Sequence, residues 1–277
     1  MILSFLGILI GLDVAFWMHK KVWRGRVNVV LKLVPNSLGV GGKESVKGKV
    51  SLKAVKTHWK ARLAIVIDDF GYPSKSYPYF VKLDAPINIS ILPNHRLSSV
   101  IAVLAHRNGK EVLLHLPMQP YGRSHLEKNT IMKYMKKKQI ERIVESDIDS
   151  IPYIEGVNNH MGSLITEDKR IMEIVLSIIK RKGLYFIDSR TSYRSIAYRL
   201  AKKLKLRAGY NSLFIDNRRD RDFTMDYILR AAMIALRKKR IIVIGHDCMS
   251  TFIAIRDMLP RLRRLGVKLS FASEVVH

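Results

Sequence analysis

Leu63-Ala64-Ile65-Val66-Ile67-Asp68-Asp69-Phe70-Gly71 is a short apolar run that stops at two carboxylates and a glycine. So brief a run, rich in Ile and Val, reads as a strand covered on both faces. Further runs of this kind lie at 87–92, 112–116, 184–187, 212–215, 241–244 and 267–271. Amphipathic stretches separate several of them. Residues 168–182 place Ile171, Ile174, Val175, Ile178 and Ile179 on one face and stop at Gly183. Residues 195–206, 224–239 and 251–265 behave likewise, and Thr166-Glu167-Asp168 and Thr224 are candidate N-caps. Strand–helix alternation over about 200 residues predicts an α/β fold with a parallel sheet, open or closed into a barrel.

In such folds ligands bind at the carboxyl ends of the strands. The residues that follow the runs are Asp68-Asp69, His115, Asn158-Asn159-His160, Asp188-Ser189-Arg190, Asp216-Asn217 and His246-Asp247. A structural sheet needs no metal ligands or proton carriers at these ends, so their coincidence predicts an active site. Two adjacent carboxylates repel unless a cation or a proton separates them. One carboxylate on a metal with the other left as a base satisfies that condition. His115 and His160 complete a two-His-one-carboxylate set with positions open for water and substrate.

The remaining features bound the chain. It has 277 residues, 48% of them hydrophobic, which fits one large domain or two small ones. The lone Cys248 excludes an intramolecular disulfide and a cysteine zinc module. Lys and Arg number 49 against 23 Asp and Glu, a net charge of +26. That charge suits nucleic acid, anionic lipid or an acidic polymer. The basic residues are scattered along the sequence, which reads as a solvated basic surface, and no nucleic-acid module accompanies them. Residues 1–18 are almost all apolar, with Asp13 the single charge, and read as a signal or membrane-anchor segment. Residues 19–61, glycine- and lysine-rich, read as a basic flexible tether, and 62–277 as the catalytic domain. The basic residues at 19–26 favour holding the following chain in the cytoplasm, against an envelope placement.

Val66-Ile67-Asp68-Asp69-Phe70-Gly71, Leu114-His115-Leu116-Pro117-Met118, Asn159-His160-Met161-Gly162-Ser163, Phe186-Ile187-Asp188-Ser189-Arg190-Thr191 and Ile244-Gly245-His246 together resemble the divergent polysaccharide deacetylases. These are bacterial relatives of the NodB-type carbohydrate esterases. The resemblance spans about residues 62–276. It implies a distorted (β/α)7-type barrel with outer helices, a divalent metal, usually zinc, and hydrolysis of acetyl groups on a polysaccharide. The apolar run, the tether after it and a glycan-type active site together lead to the expectation of an envelope location, periplasmic and held at the inner membrane by residues 1–18.

By the same resemblance Asp68 is the general base and Asp69 a metal ligand with His115 and His160. His246 is the general acid, and Asp188 and Arg190 orient or tune the base and acid. The NodB-type enzymes carry two ligand histidines four positions apart, whereas His115 is followed at that spacing by Gln119. An amide is a poor zinc ligand, so either His160 replaces the missing imidazole or the site binds metal weakly. A catalytically silent glycan binder on the same fold is the alternative reading, with a basic nucleic-acid binder behind it. Tyr72, Tyr121 and Phe70 are candidate platforms for sugar rings.

Overall fold

The computed structural model describes residues 58–277; residues 1–18, and 19–61 as far as residue 57, lie outside the described residues. From the amino side the elements are β1 (Ala61–Phe70), α1 (Tyr77–Lys82), β2 (Asn88–Ile91), α2 (Ser98–Arg107), β3 (Glu111–Met118), α3 (Lys137–Ser150) and β4 (Ile154–Met161). Then come α4 (Lys169–Arg181), β5 (Tyr185–Asp188), α5 (Ala197–Lys203), β6 (Ala208–Phe214), α6 (Arg221–Lys238), β7 (Arg240–His246), α7 (Met249–Leu265) and β8 (Val267–Leu269).

All strand pairs are parallel. Pairing runs from β2 in order to β7, then to β1, and β1 pairs back to β2. The sheet therefore closes into the expected seven-stranded barrel with the helices outside. Strand β8 borders the first residues of β1, opposite Ala61–Leu63, while β2 borders its later half at Val66 and Ile67. Among the described residues no helix is long and apolar enough to cross a membrane.

Strand alternation sorts the side chains into two cores. Leu63, Ile65 and Ile67 face outward and pack beneath the helices. Ala64 and Val66 face inward with Leu113, Tyr185, Ile187, Ile242 and Ile244. Ala272, Val275 and Val276, from the segment after β8, fill the same interior from its amino end. That segment is tied in by Ala272 N–H to Asn88 Oδ1 (2.8 Å) and by Ser273 N–H to Glu111 Oε1 (3.0 Å). Tyr185 also donates its hydroxyl to Glu111, at 2.5 Å. Gly156 on β4 makes this possible: a Cβ there would stand 2.3 Å from the Tyr185 ring.

Strand β4 is absent from the apolar runs of the sequence, because its inward positions Gly156, Asn158 and His160 serve the Tyr185 ring and the mouth rather than an oily interior. One sequence expectation needs correction. Asp220, not Thr224, caps α6: its carboxylate accepts from Phe223 N–H (2.7 Å), and Thr224 is buried one turn inside. The other candidate cap stands, since Asp168 accepts from Ile171 N–H at 3.0 Å.

Candidate metal centre

The site begins with an irregularity in β1. Between the pairs Ile67↔Ile89 and Phe70↔Ile91 the first strand advances three residues and the second only two. That extra residue is a β-bulge at Asp68-Asp69, and Asp69 takes the left-handed conformation with φ +68°. In a regular strand neighbouring side chains point to opposite faces. The bulge instead brings both carboxylates to the carboxyl mouth of the barrel. Asp68 is buried inside it and Asp69 is half-exposed at the rim.

Three donor atoms converge beside them. Asp69 Oδ1 lies 3.3 Å from His115 Nε2 and 3.2 Å from His160 Nδ1, and the two nitrogens are 3.1 Å apart. A tetrahedral ion with bonds of about 2.0–2.1 Å needs donor–donor edges of about 3.3–3.4 Å. The triangle has that size, and these three residues form a group that can hold a metal ion.

A buried amide fixes how His115 presents itself. Asn158 directs its NH₂ to Asp68 (Oδ1 2.9 Å, Oδ2 3.2 Å). Its oxygen therefore accepts, from Ser90 Oγ–H (2.6 Å) and from His115 Nδ1–H (3.0 Å). With the proton of the neutral ring held at Nδ1, His115 Nε2 offers a lone pair to the other two donors. His160 Nε2 is buried without a hydrogen-bond partner, so nothing holds that ring's proton away from Nδ1, and the three close donors need a proton or a cation among them. The titration of the cluster reflects this. Burial opposes ionisation of Asp69, but the two imidazoles override it and hold the carboxyl far below the usual range. Burial likewise opposes charge on His115, and Asp68 and Asp69 override it to raise the imidazole.

Across the mouth, His246 sits beside Asp68 in register. Asp216 grips it twice, through Nδ1 (2.9 Å) and the backbone N–H (2.6 Å), and Thr251 Oγ–H holds the same carboxylate at 2.7 Å. Burial works against the imidazolium, but Asp216 more than offsets it and pushes His246 up to about 9. The ring stacks on Phe214 and keeps 40% of its side-chain surface exposed. Asp216 was visible in the sequence as a polar strand end. Its spacing gave no hint that it serves His246.

The structure brings Asp68, Asp69, His115, His160 and His246 to one mouth. Asp188 and Arg190 lie at the end of β5 on the same side of the barrel, and the contacts they make are with their own neighbours. Asp188 accepts from Arg190 N–H, Ser195 Oγ–H and Tyr198 N–H, bracing the start of α5, and the Arg190 guanidinium lies 3.8 Å over the Tyr210 ring. Gln119 turns away into its loop, where its side-chain oxygen accepts from Lys133 N–H (2.9 Å). Phe70 is fully buried against Phe80 and cannot meet a sugar, whereas Tyr72 and Tyr121 are 43% and 48% exposed. Tyr72 is held at the rim by Glu127 (2.8 Å) and packs at a tilt against the His95 ring.

Residues 65–276 match the family model for divergent polysaccharide deacetylases, and the chain belongs to that family. Among curated proteins it is 35% identical over 201 residues to the uncharacterized protein YibQ of Escherichia coli K12. The match covers 73% of this chain and 63% of YibQ. An uncharacterized protein of Haemophilus influenzae Rd is 29% identical over 203 residues, 73% of this chain and 72% of its own. Among solved structures, an uncharacterized protein of Agrobacterium tumefaciens C58 superposes with a TM-score of 0.75 at 20% identity. That superposition covers 78% of this chain and 89% of the other, and it shows a shared fold.

Proposed function

We propose that the chain is a metal-dependent hydrolase, zinc being the metal, that removes acetyl groups from a glycan of the bacterial cell envelope. The observation that carries this reading is the donor triangle of Asp69, His115 and His160 with Asp68 on one side and His246 on the other. A divalent ion held there supplies polarisation of the acetyl carbonyl and a more acidic water. Asp68, buried and fixed by Asn158, takes a proton from the attacking water. His246, protonated up to about pH 9, gives a proton to the leaving amine or alcohol, and Asp216 keeps its ring aimed. Water is consumed, the acetyl group leaves as acetate, and the sugar keeps its nitrogen or oxygen. The exposed rings of Tyr72 and Tyr121 at the rim suit the faces of pyranose rings.

The test is acetate release from N-acetylated chito-oligosaccharides and peptidoglycan fragments by zinc-loaded protein, with metal measured by elemental analysis. We expect about one zinc per chain and turnover that Asp68→Asn removes while the zinc stays. Glycan binding without acetate release would establish the silent binder instead. Protein that retains no metal and releases no acetate would overturn the proposal.

A further inference from the structure

The net charge is not spread evenly over the folded domain. The crossovers that follow β4, β5, β6 and β7 end at 180–182, 202–207, 237–240 and 261–264. These segments hold fourteen Lys or Arg and no Asp or Glu. Because every strand is parallel, all four lie at the amino end of the barrel, opposite the mouth. Basic residues in a last helical turn complement the helix dipole. The run overshoots the helices, however: Lys205, Arg207, Lys239 and Arg240 lie beyond them. Arg240 also stands in register beside Arg62, which stands beside Lys268.

Few of these charges are neutralised. Arg181 pairs with Glu145 and Lys182 with Asp149 at one margin, and Glu274 serves both Arg62 and Lys268. Among the described residues, Lys203, Lys205 and the four side chains of 237–240 have no carboxylate partner. Such crowding destabilises a compact domain through self-repulsion, and an anionic surface relieves it.

The chain enters the barrel on this face, between β7 and β8. Lys60 N–H donates to Gly266 O (2.8 Å) and Arg62 N–H to Lys239 O (2.9 Å). Trp59, just outside, is 40% exposed. The sequence leading to it carries six lysines and one acid over 43–60, and an apolar run at 1–18. Basic residues beside an interfacial tryptophan and an apolar segment are the pattern of a protein seated on lipid headgroups. We propose that the amino end of the barrel docks on an anionic phospholipid bilayer, with the mouth directed away from it. This rests on charge, topology and the sequence that leads into the barrel, and does not need the metal site to be active.

The test uses the full chain in vesicle flotation, comparing vesicles with about 30% phosphatidylglycerol against pure phosphatidylcholine. An apolar segment alone binds both, so the ratio between them is the readout. We expect a preference of at least about tenfold for the anionic vesicles, falling with salt. The quadruple variant Arg237→Gln, Lys238→Gln, Lys239→Gln and Arg240→Gln should lose it, with circular dichroism confirming the fold. Arg237→Lys with Arg240→Lys keeps the charge and should keep the preference, as should Arg218→Gln with Arg219→Gln on the mouth side. Equal binding to both vesicles, or equal loss in the mouth-side variant, would overturn the proposal. So would tighter retention on duplex DNA than on the anionic vesicles at about 0.15 M salt, which would make nucleic acid the partner.

Discussion

At the amino end of the barrel the buried carboxylate of Glu111 is fully used: Tyr185 and both the backbone and hydroxyl of Ser273 donate to it. At the carboxyl end Asp69 faces two imidazole nitrogens that cannot all donate, and Asp68 is shared between Asn158 and His115. Both ends bury polar groups in the same parallel barrel. One end completes its hydrogen bonds within the chain, and the other leaves His160 Nε2 unpartnered beside three close donors that can hold a cation. A buried acid whose bonds are closed holds structure together, whereas one left open marks chemistry.

The largest expected break is at the open end. His160→Ala should lower zinc affinity beyond about 100-fold by isothermal titration, since a direct donor matters more than an outer one. His246→Ala should bind zinc normally and slow acetate release by about 10²–10⁴-fold. Unchanged affinity in His160→Ala would mean the metal lies elsewhere.

The outer support comes next. Asn158→Ala frees His115 Nδ1 and should weaken zinc by about 10–100-fold. Because Asn158 is fully buried, chemical denaturation must accompany the titration to separate lost metal from lost fold. At the closed end, Gly156→Ala drives a methyl into the Tyr185 ring. It should cost about 1–3 kcal/mol of stability with zinc affinity unchanged. A variant as stable as the parent would show that Tyr185 is not wedged as described.

The smallest effect is a pH dependence. The folded pKa of His246 lies above the unfolded value, so the folded state binds the extra proton between about 6.5 and 9. Its stabilisation is complete below about 6.5 and lost as pH rises through about 9. In metal-free protein, the stability gap between parent and His246→Ala should therefore shrink over that window. A gap that widens would reverse the assignment of Asp216 as its partner.

Much of the mouth was legible because several of the parallel strands that carry it are short apolar runs with a reactive side chain near the end. The order Asp68-Asp69, His115, His160, His246 could be read directly. What could not be read is whatever depends on packing across the barrel. Asn158 looks like one more polar residue until its amide is seen between Asp68 and His115. Asp188 sits at a strand end as the site residues do, but its strand turns it to the outer layer and Ser195. The basic face was hidden for a related reason. Its residues recur one crossover apart in sequence, so they look scattered, and only the closed barrel gathers them on one end.

The segment at 272–276 has a consequence for how the molecule is made. Ala272, Val275 and Val276 supply part of the barrel's inner core, and Ala272 N–H satisfies Asn88 on the second strand. A chain emerging from the ribosome with β1 to β7 already outside still lacks that lining. Its unfinished interior stays exposed until residue 276 has been translated and has cleared the exit tunnel. The interior is thus completed only after all seven barrel strands have been made, and until then its apolar surface is open to aggregation.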